Sequence, residues 1–72
     1  MKYAVVIEKG ANSYSAYVPD LPGCVAAADT IEETERLIQG AIEFHIRGMI
    51  EDGNEIPPPV SLVREVEIKQ PA

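Results

Sequence analysis

A chain of 72 residues makes one small domain, because so short a chain buries only about 60% of the surface it exposes when unfolded. Twelve Asp and Glu against six Lys and Arg leave a net charge of -6, the wrong sign for a surface that must neutralise many phosphates, so direct nucleic-acid binding is not expected. Cys24 and His45 are the only cysteine and histidine, which excludes an internal disulfide and a four-ligand His/Cys zinc site. With no metal or cofactor expected, association is the remaining way to complete so small a core, and the chain is expected to be a homodimer or higher homo-oligomer.

The apolar run from Tyr3 to Ile7 is too short for a signal peptide, and no stretch reaches the roughly 18 apolar residues of a membrane span, so the chain reads as cytoplasmic. Lys2 to Glu8 is rich in β-branched and aromatic residues and apolar on nearly both faces, the mark of a central strand. Gly10-Ala11-Asn12-Ser13 supplies a turn and Tyr14 to Val18 resumes the extended pattern, giving a hairpin. Pro19-Asp20-Leu21-Pro22-Gly23 must end that strand, since its two prolines cannot donate to a ladder. Cys24 to Ala28 then reads as a short edge strand.

Thr30 and Glu33 stand at capping-box spacing, so a helix is predicted to start at Ile31. Leu37, Ile38, Ala41, Ile42, His45, Ile46 and Met49 form its apolar stripe, widened by Phe44, until Asp52-Gly53-Asn54 ends it. Ile56-Pro57-Pro58-Pro59 is a stiff connector. Val60, Leu62, Val66 and Ile68 alternate with Ser61, Val63, Glu65 and Glu67, with Arg64 interrupting the apolar row, which reads as a last strand. The expected fold is therefore α+β, a βββαβ domain over residues 1–69 with a short tail at 70–72. Its four-stranded mixed sheet has order 3-2-1-4, with the helix on one face.

Tyr17-Val18-Pro19-Asp20-Leu21-Pro22-Gly23-Cys24, then Ala28-Asp29-Thr30-Ile31-Glu32-Glu33, then Ile56-Pro57-Pro58-Pro59, resemble the HicB family of antitoxin domains over nearly the whole chain, about residues 2–66. Ala28 replaces the commonest family glycine before Asp-Thr, which leaves the cap intact. The resemblance implies a partial ribonuclease-H-like fold and a partner, a small basic HicA-like toxin that cleaves mRNA and is silenced when the antitoxin covers it. Many family members append a segment that binds operator DNA; no such segment is read here, so operator binding by this chain alone is not expected. The alternative is a stand-alone module of the same fold serving another partner.

Enzymatic activity is not expected, because no nucleophile–base pair or phosphate loop is visible. Cys24 has no local base or second cysteine and reads as a buried thiol, and His45 reads as a packed helix residue. Glu32, Glu33 and Glu35 read as helix-start charges rather than metal ligands. The candidate partner-binding residues are Tyr17 and Leu21 as anchors, with Glu8, Asp20, Glu65 and Glu67 as rim charges; for Asp20 the competing reading, and the favoured one, is a bond to its own turn.

Overall fold

The computed structural model describes residues 1–71; Ala72, the last residue of the expected tail, lies outside the described residues. Three strands, β1 (Val6–Lys9), β2 (Tyr14–Tyr17) and β3 (Val25–Ala28), precede one helix, α1 (Ile31–Glu51). The strands form an antiparallel sheet in the order β1-β2-β3. Val6 pairs with Tyr17 and Lys9 with Tyr14, while Tyr17 pairs with Val25 and Tyr14 with Ala28. The hairpin and the short third strand are thus as expected.

β1 starts at Val6 rather than Lys2 because its partner ends at Tyr17: the next residue, Val18, donates its N–H to Cys24 across the loop at 3.2 Å. Residues 2–5 consequently have no antiparallel neighbour. Within that loop Leu21 N–H donates to Val18 C=O and Cys24 N–H to Leu21 C=O, each at 3.1 Å, and Gly23 takes φ 85, a left-handed conformation in which a Cβ would be strained. The double turn drives Leu21 inward until it is wholly buried.

The helix begins where its cap was expected. Thr30 is extended (φ -128, ψ 159) and its hydroxyl oxygen accepts from Glu33 N–H at 3.1 Å, with Glu32 and Glu33 in the first turn. Thr34, fully buried, is satisfied because its hydroxyl donates to Thr30 C=O at 2.7 Å. At the other end Gly53 (φ 73) closes a Schellman motif: Asn54 N–H donates to Met49 C=O at 2.8 Å and Gly53 N–H to Ile50 C=O at 3.1 Å.

Ala16, Val18, Leu21, Cys24 and Ile38 form the core, with Tyr3, Val5, Ile7, Ala26, Ala41 and Ile42 packed around it. Alternation along the strands puts Ile7, Ala16 and Ala26 in one row under the helix. A helix of 21 residues spans about 31 Å, more than twice the length of four-residue strands, so its C-terminal half overhangs the sheet. Leu37 and Phe44, expected in or beside the apolar stripe, are instead exposed (48% and 75%), because at i and i+7 they share a flank of the helix turned away from the sheet, while Ile46 and Met49 farther along stay half-buried.

The expected fourth strand is the main departure. Residues 54–71 form no strand, and the sheet has three strands rather than four in the order 3-2-1-4. Two hooks explain the path: Tyr3 Oη donates to Pro57 C=O, and the Asp20 carboxylate accepts from Val60 and Ser61, so residues 57–61 are held at the end of the sheet where β1 starts and β2 finishes. Beyond them the chain leaves the body. Leu62, Val66 and Ile68 are 74–80% exposed, and the molecule's long axis of 54 Å far exceeds the length of its helix.

Candidate protein-binding surface

Helix α1 covers one face of the sheet and leaves the other open. On the open face Val6, Tyr17 and Val25 lie side by side across all three strands, and the next row toward the hairpin carries Glu8, Ser15 and Ala27. Directly opposed residues in such rows sit about 5 Å apart, so Val6, Tyr17 and Val25 make one continuous apolar strip. Tyr17 is 42% and Val25 64% exposed, and Glu8 is exposed beside them. An amphipathic aromatic with a polar tip next to an aliphatic neighbour is the composition of a protein-contact anchor.

The structure therefore brings Tyr17 and Glu8 together on one face. Glu65 and Glu67 sit elsewhere, on the exposed C-terminal segment. Leu21 is 0% exposed, so the side chain expected as a surface anchor is instead the centre of the core. It shapes the loop that follows Tyr17.

Asp20 binds the chain after the proline run rather than its own turn. Its Oδ2 accepts from Val60 N–H at 3.0 Å and Ser61 N–H at 2.9 Å, and its Oδ1 accepts from the Ser61 hydroxyl at 2.8 Å. The Ser61 N–H and then the Ser61 hydroxyl hold the carboxylate below its ordinary range against the opposing effect of desolvation, with a smaller contribution from the Val60 N–H. This clamp joins residues 40 and 41 positions apart, a distance that no local motif encodes. The signal for it in the sequence was only indirect: an aspartate between two prolines and a hydroxyl residue soon after a proline run.

Cys24 is buried at the start of β3, and desolvation pushes its thiol upward. A maleimide reagent at neutral pH is expected to leave folded protein unlabelled and to modify Cys24 as soon as denaturant is added; immediate stoichiometric labelling would contradict the burial. His45 is half-buried on the helix, and Glu32, Glu33 and Glu35 are exposed at its start. Among the described residues, no three His, Cys, Asp or Glu side chains converge as metal ligands, and no helix is long and apolar enough to cross a membrane. The chemistry on offer is that of a contact surface, with apolar strips set in an acidic chain.

Known proteins resemble this chain in sequence. A protein of the rep–hol intergenic region of Haemophilus phage HP1 is 47% identical over 57 residues, 79% of this chain and 43% of the phage protein, so the chain spans less than half of that relative. A UPF0150 protein of Archaeoglobus fulgidus is 38% identical over 72 aligned residues, 96% of this chain and 97% of its own length. A UPF0150 protein of Synechocystis is 34% identical over 67 residues, 92% of this chain and 85% of that protein. The family model for the HicB-like antitoxin of bacterial toxin–antitoxin systems matches residues 3–71, from the tyrosine that hooks Pro57 to the end of the described C-terminal segment. This chain belongs to the HicB-like antitoxin family.

Proposed function

We propose that the protein is the antitoxin of a HicA/HicB-type pair and silences a small basic, mRNA-cleaving toxin by covering its active surface. The observation that carries this reading is the open sheet face, where the Val6–Tyr17–Val25 strip lies beside Glu8 in a chain of net charge -6. Opposite charge steers a basic nuclease toward this chain, and burial of the strip supplies affinity after docking. Glu8 and Tyr17 are the direct contacts in this proposal. Asp20 and Leu21 act by fixing the loop behind Tyr17, and Glu65 and Glu67 extend the acidic surface along the C-terminal segment. The antitoxin itself performs no catalysis and takes no cofactor, acts in the cytoplasm, and is at least a dimer.

The test is RNA cleavage by any small basic protein encoded beside this gene, measured with increasing amounts of the purified chain. Cleavage should stop at stoichiometric antitoxin, and Tyr17→Ala should weaken the complex by about 30-fold, the loss of a central aromatic anchor worth roughly 2 kcal/mol. Raising salt from about 50 to 500 mM should slow association far more than it speeds dissociation, because the Debye length falls to a few Å while buried contacts persist. Undiminished cleavage at excess antitoxin would replace this reading with that of a stand-alone binding module.

A further inference from the structure

The slot that a fourth strand was expected to fill is present and open. Helix α1 packs mainly over β3 and β2 and leans away from β1, so a groove of about 570 Å³ runs between the outer edge of β1 and the helix. Tyr3, Val5 and Ile7 form one wall and Ile38, Ile42 and Ile46 the other, with Glu35 and Glu43 on its rim. β1 is an edge strand, and its outer row of N–H and C=O groups has no partner in the sheet. Such an edge over an apolar floor is a template for one more strand.

The same chain carries a strand that is not used. Leu62, Val66 and Ile68 share one face of residues 62–68 at period two, and all three are exposed to 74–80%. Arg64 lies on that same face, between Leu62 and Val66. An arginine in an apolar row is a defect over a purely apolar floor. Over a groove rimmed by Glu35 and Glu43 it is complementary, since its long aliphatic stem covers apolar surface while the guanidinium reaches the carboxylates. The segment does not return to the groove of its own chain: past Val60 and Ser61, which Asp20 fixes, Leu62, Val66 and Ile68 are exposed.

We propose that residues 62–68 of one copy lie along β1 in the groove of a second copy, and that the second copy returns the same segment, giving a two-fold strand-exchanged dimer. Each copy then completes a four-stranded sheet, and the exposed apolar row and the open edge are buried together. This inference rests on the reading of the chain as at least a dimer and says which surfaces build it. The open face carrying Tyr17 stays free in the dimer and remains available to a toxin.

The experiment is light scattering after gel filtration on the full chain and on Val66→Asp/Ile68→Asp and Tyr17→Asp variants, with circular dichroism to follow the helix. The expected result is a two-chain mass for the unaltered protein and for Tyr17→Asp, and a single-chain mass with an unchanged helix signal for the tail variant. A sample mixing isotope-labelled and unlabelled chains should give interchain NMR contacts from the Leu62, Val66 and Ile68 methyls to those of Ile7 and Ile42. A dimer untouched by the tail variant, or lacking those interchain contacts, overturns strand exchange while leaving the dimer itself standing. A monomeric unaltered protein, including one whose own segment fills the groove, overturns both.

Discussion

Leu21→Ala should come close to unfolding the protein at room temperature, although Leu21 lies in a loop between two prolines. The side chain is wholly buried among Ala16, Val18, Cys24 and Ile38, and deleting it removes apolar contacts and leaves a cavity, at a cost of about 2–5 kcal/mol. A domain of this length has roughly 4–11 kcal/mol of stability in total. The melting temperature should fall by at least about 8 °C, since in a domain this small each kcal/mol moves it by about 4–8 °C. Urea unfolding followed by circular dichroism makes the comparison, with Phe44→Ala as the control. Phe44 is the larger side chain but is 75% exposed, so its removal should change stability by no more than about 0.5 kcal/mol. Equal losses at the two positions would mean that the outer face of the helix is covered in solution.

Asp20→Ala should release the C-terminal segment while leaving the sheet and helix intact. The carboxylate receives three hydrogen bonds from Val60 and Ser61, and alanine can accept none of them. Amide exchange at Val60 and Ser61 should accelerate at least several-fold, while Leu21 and Cys24, whose N–H groups bond inside the loop, keep their protection. The same release should occur in the unaltered protein as a function of pH. Because Asp20 is held below its ordinary value of 3.8, its contribution is complete above that value and is lost as pH falls through the lower, folded-state value. The clamp should therefore hold across the range from about pH 5 to 8 and open only in acid. Asp20→Asn, which cannot ionise, should show no such acid transition. An identical transition in that variant would assign the pH dependence to another group.

Cys24 gives the opposite sign on the alkaline side. Its folded thiol titrates above the ordinary value of 9.0 because burial disfavours the thiolate. Its contribution to stability is present below the unfolded value and lost as pH rises through the folded one. Cys24→Ser or Cys24→Ala should remove this alkaline decline from the pH profile of urea unfolding.

How much of this was legible without coordinates follows from the range over which each interaction acts. Thr30 and Glu33 are three residues apart and Gly53 closes a turn one residue past its cap, so both ends of the helix could be read from neighbours along the chain. The hairpin, the loop after Tyr17 and the family resemblance were readable for the same reason: turn residues and prolines restrict their own backbone. Composition alone excluded a disulfide, and the lack of any local activating group pointed to an inert thiol at Cys24. The tertiary structure decided what depends on meetings across the chain. Leu21 and Tyr17 both looked like apolar candidates for a surface, and only the double turn separated them, sending Leu21 to 0% exposure and leaving Tyr17 on the open face at 42%. Asp20 was weighed between its own turn and a partner, and a serine 41 positions away took its carboxylate. The alternation of residues 60–68 predicted a last strand that the chain does not form, because periodicity states which face is apolar and never which edge receives it. Where that segment goes is set by the clamp at Val60 and Ser61, and these contacts exist only once the sheet and its loops have formed.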